Sequence, residues 1–135
     1  MNPEMTEITK NDRVAKLLGF RLVEVDIGYA LVEMTMCEDH LNGVDTLHGG
    51  VIFSLADYAF AVACNSAGLP TVAVNANISY FKPPKGPIVR AEAREISSGR
   101  KVCCCEAEIR DDDGTLVAKF TGTGYRKTVQ SQLTQ

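Results

Sequence analysis

Apolar residues follow two different patterns along this chain. In Tyr29–Met36, Val32, Met34 and Met36 alternate with Glu33 and Thr35. That period of two marks a strand with one wet face. The run before it, Phe20–Ile27, meets it at Gly28, which predicts a hairpin. Four later runs also read as strands: Thr71–Phe81, Ile88–Ile96, Lys101–Arg110 and Leu116–Lys127. Turn signals separate them: Lys82–Gly86 with two prolines, Ser97–Arg100, and Asp111–Gly114 ending in Asp-Gly. Residues 51–66, VIFSLADYAFAVACNS, are apolar on nearly every side, which predicts an enclosed helix. A short helix is expected over residues 5–18, with Val14, Leu17 and Leu18 on one face and Gly19 as its stop. Residues 38–50 are turn-rich.

The order is helix, two strands, one buried helix, four strands. It predicts an α+β fold in which a curved antiparallel sheet of about six strands wraps around one long central helix. The sheet can cover only part of that helix, so at least a dimer is expected. One domain over residues 1–135 is the natural unit, with 1–14 and 128–135 peripheral.

Composition narrows the classes. The chain has 135 residues, 45% apolar and 23% charged, with a formal charge of −3. That apolar content argues against disorder, and a weakly acidic chain without a basic block argues against nucleic-acid binding. No stretch of about 18 apolar residues occurs, and the N-terminal segment lacks an apolar signal core. A cytoplasmic protein that does not engage membranes is expected. The five cysteines are Cys37, Cys64, Cys103, Cys104 and Cys105. An odd count without C-x-x-C spacing argues against a disulfide framework and a zinc site, so no metal is expected. In a strand, Cys103 and Cys105 point one way and Cys104 the other; as small apolar filler they suit a reduced compartment.

One residue breaks the apolar helix. Asp57 has Phe53, Ser54, Phe60 and Ala61 as its helical neighbours, and no Lys or Arg lies between Leu47 and Phe81. A carboxylate there is costly unless bonded or paired. Either it reaches an exposed edge, with Ser54 offering a hydroxyl, or it is a base or nucleophile in a dry cleft. The second reading is favoured, since the helix has no other polar face. His48-Gly49-Gly50 opens the same helix, where free N–H groups and the dipole favour an oxyanion. Asp57 follows Gly49 by eight residues, about 12 Å along the axis. One helix therefore cannot present both groups to one carbonyl. Two antiparallel copies can, which predicts a composite site shared by two protomers.

Residues 41–68, LNGVDTLHGGVIFSLADYAFAVACNSAG, strongly resemble the PaaI-like (phenylacetyl-CoA type) hotdog-fold acyl-CoA thioesterases. The shared pattern is Asn42-Gly43, His48-Gly49-Gly50 and Asp57 nine residues after the histidine. ANISYFKPPKG and the closing TGTGYR fit as well, so the resemblance spans about residues 15–127. It implies a sheet-wrapped helix, dimers joined edge to edge and paired into a homotetramer, and no cofactor apart from the coenzyme A of the substrate. It also implies that Asp57 activates water or attacks directly and that the Gly49 N–H, with Gly50 nearby, polarises the thioester carbonyl. Asn42 would orient water or substrate, and His48 would hold the loop or assist the thioester. Where some relatives carry a water-placing serine this chain has Ala73, with Asn75 and Asn77 as candidate substitutes. Coenzyme A phosphates require a cationic entry. Candidates are Lys82 with Lys85 around Pro83-Pro84, next to Phe81, and Arg100-Lys101. Tyr58 either lines the acyl pocket or fills the core. The expected reaction is hydrolysis of a small aromatic acyl-CoA such as phenylacetyl-CoA. The alternatives are an acyl-thioester dehydratase, whose pattern before the helix differs from Thr46-Leu47-His48-Gly49-Gly50, and a non-catalytic acyl-CoA-binding domain.

Overall fold

The computed structural model describes residues 7–127. Its elements in chain order are α1 (Glu7–Lys10), α2 (Arg13–Leu18), β1 (Arg21–Asp26), β2 (Tyr29–Thr35), α3 (Gly49–Cys64), β3 (Thr71–Tyr80), β4 (Ile88–Ser98), β5 (Val102–Asp111) and β6 (Leu116–Arg126). All six expected strands and the long helix form, within a few residues of the expected ends. The strands build one antiparallel sheet in the order β1-β2-β4-β5-β6-β3. β1–β2, β4–β5 and β5–β6 are hairpins. β3 follows α3 instead, and the helix carries it to the far edge beside β6.

The concave face is lined by small side chains, which let the helix sit close. Ala30, Ala91, Ala93 and Ala107 are fully buried. Gly122 is needed for space: a Cβ there would lie 2.9 Å from the Phe60 ring. Phe60 in turn packs on Phe120 with ring centroids 5.6 Å apart. The opposite, wet face of the sheet carries ion pairs such as Arg90–Glu33 and Lys119–Glu106.

The N-terminal helix departs from expectation. It is two helices, because Asp12 caps the second by accepting the Ala15 N–H at 2.9 Å. That cap resets the helical phase. Ala15 turns inward, while Val14 (53% exposed) and Leu17 (82%) do not pack as a buried face. Gly19 does end α2, at φ +78° in the left-handed region that glycine tolerates. Residues 5 and 6 lie outside the described residues, as do 128–135. Residues 7–14 are not wholly peripheral, since Thr9 is buried.

α3 also differs in one respect. It is not enclosed on every side. Ile52, Leu55, Ala56, Ala59 and Phe60 are buried under the sheet, whereas Phe53, Ser54, Asp57 and Tyr58 form a half-buried strip beside α2. At its C-terminal end Arg126, 5% exposed, donates to the Cys64 carbonyl at 3.0 Å and pairs with Glu95 at 2.7 Å. Cys103 and Cys105 are buried and Cys104 faces the other side, as the strand alternation requires. Among the described residues, no helix is long and apolar enough to cross a membrane.

Candidate active site

The half-open strip of α3 places Asp57 in a cleft of about 270 Å³ with Phe20, Phe53, Ser54, Tyr58 and the first residues of α2. Its carboxylate makes no hydrogen bond or ion pair with the described residues. Ser54 does not help, because its hydroxyl donates to the Gly50 carbonyl at 2.8 Å. The charged group across the cleft is a second acid, Asp12. Burial, reinforced by the negative charge of Asp12, pushes the Asp57 carboxyl above its ordinary range. A carboxylate with a raised pKa and no bonded partner is a stronger base than a solvated one.

The other half of the chemistry lies at the start of α3. His48 is the N-cap, and its Nδ1 accepts the Gly50 N–H at 2.8 Å. The expectation that Gly50 shares the oxyanion role meets a geometric obstacle, since its N–H is already engaged. The Gly49 N–H has no acceptor among the described residues. Gly49 lines a cleft of about 220 Å³ together with Leu47, Ile52, Tyr80, Phe81, Lys82 and Pro83. Glycine at position 49 leaves room for the Tyr80 ring, which a Cβ would approach to 3.3 Å. The Tyr80 hydroxyl donates to the Gly49 carbonyl at 2.8 Å.

Asn42 sits in the loop before His48 and spends its amide locally. Oδ1 accepts the N–H groups of Val44 and Thr46, and Nδ2 donates to the Thr46 hydroxyl at 2.9 Å. In this geometry it shapes the loop that delivers His48. His40 also anchors this loop. It is buried, its Nδ1 accepts the Cys37 N–H at 3.1 Å, and Nε2 donates to the Leu18 carbonyl at 2.9 Å. It ties the end of α2 to the same loop.

The expected site residues thus fall into three places. Gly49, Phe81, Lys82 and Pro83 share one cleft, and Asp57 and Tyr58 share another. Arg100 and Lys101 lie in the β4–β5 turn, where the Lys101 carbonyl accepts the Arg126 N–H. That is the C-terminal end of α3, roughly 22 Å of helix from Gly49. No single chain unites the three. Sequence reading missed two residues, Asp12 and Tyr80. An Asp three positions before Ala15 carries a capping signal, but nothing local shows that the cap faces Asp57. Tyr80 closes a strand and reaches Gly49 only through the sheet.

Comparison with known proteins agrees with this architecture. Residues 45–118 match the family model described as Thioesterase superfamily. The chain is 42% identical to a putative esterase of Archaeoglobus fulgidus over 118 residues, covering 87% of this chain and 77% of that one. It is 40% identical to the acyl-coenzyme A thioesterase PaaI of Escherichia coli, covering 87% and 84%. The solved structure of the E. coli PaaI protein superposes with a TM-score of 0.85 at 38% identity, over 90% of this chain and 88% of that one. A human relative, acyl-coenzyme A thioesterase 13, is 31% identical over 87% of this chain and 88% of its own length. With the helix-wrapping sheet and the family match extending through the His48-Gly49-Gly50 segment and Asp57, the chain belongs to the thioesterase superfamily as a PaaI-like hotdog-fold acyl-CoA thioesterase.

Proposed function

We propose that the protein hydrolyses a small aromatic acyl-CoA, with phenylacetyl-CoA or a hydroxylated relative as the substrate, at sites built from two protomers. The observation that carries this reading is the placement of one open donor and one unpartnered carboxylate on a single continuous helix. They are about 12 Å apart along the axis, too far to serve one carbonyl. A second copy with its helix antiparallel supplies the missing half. β3 supports such pairing. It is an edge strand of ten residues, exposed along most of its length, with Val74 63% exposed. Such an edge is a template for another strand.

In the reaction the Gly49 N–H of one protomer donates to the thioester oxygen. Asp57 of the other takes a proton from water as the water oxygen bonds to the carbonyl carbon. The tetrahedral oxyanion then collapses, the carbon–sulfur bond breaks, and coenzyme A leaves as thiolate. Direct attack by Asp57 would give a mixed anhydride that water then opens. Phe20, Phe53 and Tyr58 around Asp57 support an aromatic acyl group, with Phe20 and Tyr58 centroids 6.1 Å apart. Lys82, beside Gly49, supplies the cationic entry. Arg100 and Lys101 can act on the same ligand only from another protomer.

Further pairing of dimers into a tetramer would use the apolar surface left open on α2 by Val14 and Leu17. Five free thiols suit a reducing cytoplasm. An acyl-CoA panel with a thiol reagent tests the function: release should be fastest for phenylacetyl-type substrates and absent in Asp57→Asn. Binding without thiol release would sink the reading.

A further inference from the structure

Tyr80, at the end of β3, reaches the start of α3. The peptide unit between Gly49 and Gly50 is held at both ends. Its carbonyl oxygen accepts from the Tyr80 hydroxyl at 2.8 Å, and its N–H donates to His48 Nδ1 at 2.8 Å. Two adjacent glycines are the pair most able to rotate a peptide plane, because neither has a Cβ to restrict φ. They also stand in the first helical turn, where N–H groups lack helical acceptors and the chain frays most easily. The helical bond from the Phe53 N–H to the Gly49 carbonyl lies in the first turn, where the helix frays, and a plane freed by fraying can rotate and carry the neighbouring His48–Gly49 plane with it. The Gly49 N–H belongs to that neighbouring plane. A donor that wanders cannot stabilise an oxyanion, since stabilisation depends on dipoles already aimed.

We infer that Tyr80 is a positioning residue that, with His48, clamps the Gly49–Gly50 peptide and so aims the Gly49 N–H at the substrate oxygen. The inference rests on the thioesterase reading for its kinetic consequence, but not for the clamp itself. Its consequence for the assembly is specific. Tyr80 is the last residue of β3, the open edge strand, so whatever docks along that edge also fixes the residue that sets the donor. Pairing of protomers and alignment of the oxyanion donor would then be one event. The ring and the hydroxyl have separable parts in this. The ring packs on Gly49, where a Cβ would come within 3.3 Å; the hydroxyl makes the bond.

Tyr80→Phe keeps the ring and removes the bond, so folding is preserved. The first readout is hydrogen exchange of the Gly49 and Gly50 amides by NMR, which needs no activity. Exchange of Gly50 should speed up several-fold in Tyr80→Phe, as in His48→Ala. The second is kinetic. Loss of one ordinary hydrogen bond, felt mainly in the transition state, should lower kcat about 2- to 13-fold with KM nearly unchanged. The double variant should lose less than the product of the single losses, because both grip one peptide. Unchanged Gly50 exchange in Tyr80→Phe overturns the clamp whatever the activity. Unchanged kcat with wild-type hydrolysis intact overturns the role in aiming the donor while leaving the thioesterase reading in place. If the wild type releases no thiol, the function fails and the exchange data alone decide the clamp.

Discussion

Arg126 is a buried cation at one end of the scaffold, and replacing it with Met makes a sharp test. Its side chain is 5% exposed and holds one end of the molecule. One nitrogen donates to the Cys64 carbonyl at 3.0 Å, closing the C-terminal end of α3, and to the Thr71 hydroxyl at 3.3 Å. Another pairs with Glu95 at 2.7 Å and donates to the Ser98 hydroxyl at 2.7 Å. Glu95, whose side chain is 17% exposed, forms its ion pair among the described residues only with Arg126. Methionine fills much of the volume but leaves Glu95 half-buried and unpaired. Removing one member of such a pair costs about 3–5 kcal/mol. Urea unfolding at fixed protein concentration should therefore show a large fall in midpoint with little change in slope. A double variant gives the second arm of the test. Arg126→Met with Glu95→Gln removes the stranded charge and should recover part of the loss. A single-variant cost below about 1 kcal/mol, or a double variant no better than the single, would refute the claim that the pair is a desolvated unit.

Other expectations follow from Asp57 and the helix seat. Asp57→Asn should abolish thiol release. It should also raise the melting temperature at neutral pH. Burial raises the folded-state pKa above the ordinary 3.8, so the ionised carboxylate weakens the fold at any pH above its folded pKa, and the cost vanishes below the unfolded value; melting curves at pH 7 and pH 3 compare the two. If base catalysis requires ionised Asp57, kcat/KM should rise with pH to a plateau. Asp12→Asn, which removes the like charge across the cleft, should move that midpoint to lower pH. Gly122→Ala puts a Cβ 2.9 Å from the Phe60 ring and should cost about 1–3 kcal/mol by overpacking, read by thermal or urea unfolding.

Much of this was legible in the sequence because the signals were local. Alternation fixed the strands, and the Asp-Gly pair and Gly28 marked hairpin turns; Gly28 and Gly114 take φ of +72° and +89°. The largely apolar run over residues 51–66 gave α3. The carboxylate at position 57 stood out because nothing nearby could neutralise it. What was not legible depends on contacts between distant elements. The half-open strip of α3 is set by how far the sheet curls, not by the helix itself. Apolar spacing over residues 5–18 suggested one helix, but the Asp12 cap started a new one and turned Val14 and Leu17 outward. Engagement of the Gly50 N–H depends on the rotamer of His48, and the Tyr80 bond on β3 crossing to the far edge. The family resemblance suggested Arg100 and Lys101 as one candidate cationic entry for coenzyme A, yet the β4–β5 turn puts them at the opposite end of α3 from Lys82.

In the proposed reaction a working site takes Gly49 from one protomer and Asp57 from another. Mixed dimers test it directly. Subunits carrying Asp57→Asn are co-refolded with subunits carrying Gly49→Pro, which removes the donor N–H at a first helical position that accepts proline. Each homodimer should be inactive. The mixture should recover thiol release to about one site in two within each mixed dimer, since one site retains both wild-type halves. Mixed dimers that form, as shown by native mass spectrometry, but release no thiol above either parent would contradict the account.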